Sequence, residues 1–86
     1  MSYHAYVIES QKDGRWYKGV TKSISSRLIE HNSGRTPSTK PYRPWSLVYS
    51  EEFKTFAEAR KRGVYLKSGI GREFLKTKIW PRGATE

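Results

Sequence analysis

The chain has no cysteine, a single asparagine and only eight Asp and Glu among its 86 residues. Without cysteine there are no disulfides, no thiolate metal sites and no cysteine nucleophile. Packing alone must hold the chain, which suits a reducing compartment. No stretch approaches the roughly 20 apolar residues that span a bilayer. Residues 1–10 are neither basic enough nor apolar long enough for a signal peptide. These absences point to a cytoplasmic protein. Internal repeats and linker-like composition are also lacking. The expectation is one domain over residues 1–86, with a flexible tail from about residue 80 and one thin core.

The shortage of acids sets 17 Lys and Arg against eight Asp and Glu, for a formal charge of +9. Nucleic acid is the commonest partner of so small a basic domain, because each phosphate contact releases counterions. An anionic membrane surface is the rival partner, and a merely solvated basic surface is the plain alternative. We expect nucleic acid, DNA first, and no membrane.

Residues 3–9 are aromatic and β-branched and predict a strand with Ala5 and Val7 on one face and Tyr6 and Ile8 on the other. Lys12-Asp13-Gly14 is turn chemistry, and residues 16–20 predict the returning strand of a hairpin. Ser23 predicts the cap of a helix running to about Asn32, ended by Gly34. Ile24, Leu28 and His31 fall on one face of that helix, with Arg27 at its border. Residues 35–44 hold three prolines and three cations, and predict a loop.

Residues 45–53 predict a third strand, with Trp45, Leu47 and Tyr49 on one side. Thr55 to Glu58 is a capping box opening a second helix whose apolar set is Phe56, Ala59, Gly63 and Leu66. Residues 67–71 predict a break, and residues 72–79 a short third helix. The fold class expected is α/β of the α+β type. A small three-stranded antiparallel sheet carries about three helices in the order β-β-α-β-α-α.

Four polar side chains stand where packing alone would not ask for them. Tyr6 and Tyr17 lie on the two strands of the hairpin, and Arg27 and His31 lie one turn apart on the next helix. Hydrolysis of a phosphodiester needs an activated water and cations on the non-bridging oxygens. Lys18, Lys22, Arg35, Lys40 and Arg43 are the candidate nucleic-acid-binding cations around these four. The bland alternatives are core aromatics for the tyrosines, a packing histidine for His31 and solvated charges for the rest.

His4-Ala5-Tyr6, Tyr17-Lys18-Gly19 and an arginine ten residues after Tyr17 together resemble the GIY-YIG nuclease superfamily. The likeness is to its small stand-alone bacterial members, which resemble the amino-terminal nuclease domain of a bacterial excinuclease. The runs Arg27-Leu28-Ile29-Glu30-His31-Asn32-Ser33-Gly34, Leu47-Val48-Tyr49-Ser50-Glu51-Glu52-Phe53 and Leu66-Lys67-Ser68-Gly69-Ile70-Gly71-Arg72-Glu73-Phe74-Leu75-Lys76 extend the resemblance to residues 3–79. It implies that Tyr17 orients or deprotonates the attacking water beside Tyr6, that Arg27 binds the scissile phosphate, and that His31 assists. A DNA-repair role would rest on the likeness alone.

The resemblance also implies a single divalent metal, Mg²⁺ or Mn²⁺ if the protein is active, held by a glutamate in the second helix. The matching position here is Gly63. Glu58, five residues earlier, is turned about 140° away on an α-helix and belongs to the capping box. Glu51, Glu52 and Glu73 could serve only if the fold brought them in. Three functions therefore stay open. They are DNA binding with weak or lost cleavage, metal-dependent structure-directed DNA cleavage with a recruited carboxylate, and an RNA-associated binding role without catalysis.

Overall fold

The computed structural model describes residues 2–80. The tail expected past residue 80 lies outside the described residues. The elements are β1 (Tyr3–Ser10), β2 (Trp16–Thr21), α1 (Ile24–Ser33), β3 (Trp45–Phe53), α2 (Phe56–Lys67) and α3 (Gly69–Ile79). One 3-10 turn, Lys40–Tyr42, interrupts the loop before β3. The order β-β-α-β-α-α and the three-stranded antiparallel sheet are those expected. The sheet order is β2-β1-β3, so β1 is central and β2 is an open edge. No described helix is long and apolar enough to cross a membrane.

The alternation of β1 divides the core between the two faces of the sheet. Ala5 and Val7 meet Leu66, Leu75 and Ile79 of α2 and α3. Tyr6 and Ile8 face the other way, toward Trp45, Tyr17 and the α1 residues Ile24 and Leu28. Every side chain from Ala5 to Ile8 is buried. The central strand of so small a domain is covered on both sides.

Local chemistry fixes the connections. Gly14 takes φ 81° in the hairpin, a left-handed conformation that suits glycine. Its N–H donates to the Ser10 carbonyl at 2.8 Å. The Ser23 side chain accepts from the Ser26 N–H to start α1, and Gly34 ends it at φ 85°. Both halves of the Thr55–Glu58 capping box are made, which commits Glu58 to the start of α2.

Two expectations need correction. Trp45, Leu47 and Tyr49 do not share a face. Val7 pairs with Tyr49 while Ile8 pairs with Leu47, so Val48 is an extra residue in a β-bulge. The bulge sends Tyr49 across to the α3 side, edge-on to Phe74 with ring centroids 5.9 Å apart. The break before α3 is also narrower than residues 67–71. Ser68 alone ends α2 and caps α3, accepting from the Gly71 N–H at 3.1 Å. The third helix begins at Gly69 rather than at residue 72. A Cβ at Gly71 would meet the Tyr65 carbonyl and the Leu66 Cα, so this glycine lets the two helices cross closely.

Candidate functional site

The hairpin register pairs Tyr6 with Gly19 and Ile8 with Tyr17, which places both tyrosines on the α1 face of the sheet. Their rings lie 6.5 Å apart. The Tyr6 hydroxyl rests on Gly19, where an added Cβ would come within 2.6 Å of it. Glycine is therefore required at this point of the edge strand by the phenol beside it.

α1 lays His31 against both rings, 4.9 Å from that of Tyr17 and 6.2 Å from that of Tyr6. His31 is fully buried and engaged at both nitrogens. Its Nε2 lies 3.0 Å from the Tyr6 hydroxyl and its Nδ1 lies 2.8 Å from Thr39 Oγ1. The Thr39 hydroxyl donates its own proton to the Thr36 carbonyl at 3.3 Å. Thr39 Oγ1 thus accepts from His31 Nδ1–H, and His31 Nε2 accepts from Tyr6 O–H. Burial, reinforced by the charge of Arg27, holds the imidazole below its usual pKa, in the neutral form these hydrogen bonds need. Burial likewise raises Tyr6, against the pull of Arg27.

Arg27 lies at the half-exposed rim, close enough to the Tyr6 and Tyr17 hydroxyls for charge coupling with both. Its guanidinium donates to Glu30 at 2.7 Å, the contact that most strengthens its hold on the proton. The four residues singled out in the sequence are thus brought together. Two participants escape the sequence reading. Thr39 is buried in an irregular loop that has no periodicity to reveal it. Glu30 reads as one more solvated helix acid until its partner is seen.

The candidate binding cations divide. Lys18 is half-buried on β2, and Lys22 lies 5.8 Å from the Tyr3 ring centre. Arg35 is exposed. Lys40 and Arg43 gather with Lys12 around a shallow depression that no member of the tyrosine cluster lines. The Arg43 side chain donates to the Lys40 carbonyl at 3.0 Å.

Gly63 is buried in α2 on the opposite face of the sheet, where an added Cβ would stand 3.0 Å from Val20 Cγ2. Here the edge strand connects the two sides. Gly63 and Gly19 line one notch of about 250 Å³, together with Val20, Phe56, Arg60, Val64 and Lys67. A side chain at position 63 would enter that notch, against the glycine on which the Tyr6 hydroxyl rests. No carboxylate lines it. Glu51 is bound to Arg62 at 3.1 Å and to Tyr49, Glu52 to Ser2, and Glu73 to Lys76 at 3.0 Å. Among the described residues no group of three His, Asp or Glu is placed to hold a metal. A hard divalent cation needs oxygen donors. A notch flanked by Arg60 and Lys67 does not fit one.

A three-stranded antiparallel sheet bearing a Tyr-Tyr-Arg-His cluster at its hairpin is the arrangement of a GIY-YIG nuclease fold. The profile of the GIY-YIG catalytic domain matches residues 2–72, and the chain belongs to that family. It is 42% identical over 77 residues to a UPF0213 protein of Staphylococcus saprophyticus, covering 88% of this chain and 94% of the relative. It is 35% identical over 65 residues to UPF0213 protein YazA of Bacillus subtilis, covering 74% and 66% respectively. The UPF0213 protein of Bacillus halodurans, solved in solution by NMR, superposes with a TM-score of 0.54 at 30% identity. That match covers 90% of this chain and 84% of the other.

Proposed function

We propose that this GIY-YIG-fold protein binds DNA through its basic surface and that phosphodiester cleavage is weak or lost because Gly63 stands in place of a metal-holding glutamate. The observation that carries this is the notch shared by Gly19 and Gly63, which adjoins the tyrosine cluster and offers no carboxylate. The remaining parts are suited to holding a phosphate. Arg27 can donate two parallel N–H bonds to non-bridging oxygens, once a phosphate displaces or shares it with Glu30. His31 and Thr39 fix the Tyr6 hydroxyl. Tyr17 supplies a second phenol, packed against His31 and half-exposed.

Nicking of labelled duplex and branched DNA with Mg²⁺ or Mn²⁺ tests the reading. The unchanged protein is compared with Gly63→Glu and with Gly63→Glu combined with Arg27→Ala. We expect nicking from Gly63→Glu alone, lost again in the double variant. Metal-dependent nicking by the unchanged protein would show that another carboxylate serves. Absence of nicking in all three would leave the site assignment without support and favour a binding role on RNA.

A further inference from the structure

The α2 face of the open β2 edge carries cations that the tyrosine cluster does not use. Lys18 and Val20 point to that face, since they pair with Val7 and Ala5. Gly63 packs on Val20, with Arg60 three residues before it and Lys67 four after it, both lining the same notch. One strand step on, Lys18 and Arg72 line a second depression of about 190 Å³ with Gly14, Arg15, Trp16 and Trp80. Among the described residues no ion pair involves Lys18, Arg60, Lys67 or Arg72. Burial and the charges of Arg72 and Lys67 hold the Lys18 ammonium below its usual pKa. The acids beside this face are engaged elsewhere, Glu9 accepting from the Trp16 indole at 3.0 Å and Asp13 paired with Arg15 at 2.8 Å. Like charges gathered in this way raise the free energy of the unbound protein, and a polyanion relieves this.

We propose that this face is a phosphate-tracking strip, running from the Gly63 notch with Arg60 and Lys67 to Lys18 and Arg72, which holds one DNA strand along the β2 edge. The strip lies on the opposite face of the sheet from the tyrosine cluster and adjoins it at Gly19. Gly63 then has a positive role. It keeps open a cationic seat for a backbone phosphate, and an acid in its place would put a negative charge between Arg60 and Lys67. The far end of the strip is an indole pair, Trp16 and Trp80, with centroids 5.3 Å apart. Trp80 is more than half exposed and offers a face on which a base can stack. The loop cations Lys40 and Arg43 lie outside this strip.

The inference rests on the DNA-binding reading, and one experiment separates the two. Fluorescence anisotropy of a labelled single-stranded oligonucleotide is measured in EDTA over a range of NaCl concentrations. The proteins are the unchanged chain, Lys18→Gln/Lys67→Gln/Arg72→Gln, and a control of equal charge change at exposed lysines outside the strip and the loop, Lys54→Gln/Lys61→Gln/Lys78→Gln. Loss of three phosphate contacts should lower the log K against log salt slope of the strip variant by about 2, and leave that of the control variant near the original. Gly63→Glu should bind more weakly than Gly63→Ala under the same metal-free conditions. Circular dichroism and thermal melting confirm that each variant folds. If the unchanged protein binds and the strip variant keeps its slope, the strip is wrong and the DNA-binding reading stands. If the unchanged protein does not bind, both fall.

Discussion

His31 joins two roles that a sequence keeps apart, a core side chain and a polar link. Its place on the apolar face of α1 was legible from the spacing of Ile24, Leu28 and His31. Its partners were not, because Thr39 lies in a loop whose path no periodicity encodes. The buried imidazole is neutral in the folded protein and titrates near 6.5 once unfolded. Between those two values the unfolded chain binds more protons, so the contribution to stability is present above about pH 6.5 and is lost as pH falls through the lower folded value. Urea denaturation between pH 8 and pH 5 should show this fall. His31→Gln, which keeps hydrogen-bonding groups without a titrating ring, should flatten it. An equal fall in His31→Gln would assign the acid sensitivity to another group.

Element existence and order were carried by patterns that residue chemistry writes plainly. The hairpin turn, the Ser23 cap, the Gly34 stop and the Thr55–Glu58 box all appear where they were expected. The departures come from tertiary fit. The Val48 bulge reverses the facing of Tyr49, and strict alternation cannot anticipate an inserted residue. Residues 67–71 look like a breaker because two glycines and a serine lie together, yet only Ser68 interrupts the helices. The glycines differ in kind. An added Cβ at Gly69 would meet nothing, while at Gly71 it would meet backbone of α2. Gly69→Ala should therefore be neutral or stabilise by up to about 1 kcal/mol through helix propensity. Gly71→Ala should destabilise by about 1–3 kcal/mol, because overpacking pushes α3 from α2. Urea midpoints decide between them, and equal effects at the two positions would contradict the close crossing.

At the scale of the whole molecule, a charge of +9 is carried on a domain with a radius of gyration of 12.9 Å. Self-repulsion on that scale opposes folding, and the four ion pairs of the described residues engage Arg15, Arg27, Arg62 and Lys76, leaving the β2-edge cations unpaired. The surface proposed to bind nucleic acid should thus lower stability when none is present. Raising NaCl from about 10 mM to about 150 mM shortens the Debye length from about 30 Å to about 8 Å, so the melting temperature should rise over that range. Lys18→Gln/Lys67→Gln/Arg72→Gln should melt higher than the unchanged protein at low salt. Relief of about 1 kcal/mol would correspond to about 4–8 °C in a domain of this size. Its melting temperature should also respond less to salt, because the repulsion that salt screens has been removed. If the strip variant melts lower and keeps the full salt response, these cations help to hold the fold together. Their clustering would then need a structural explanation in place of a nucleic-acid partner.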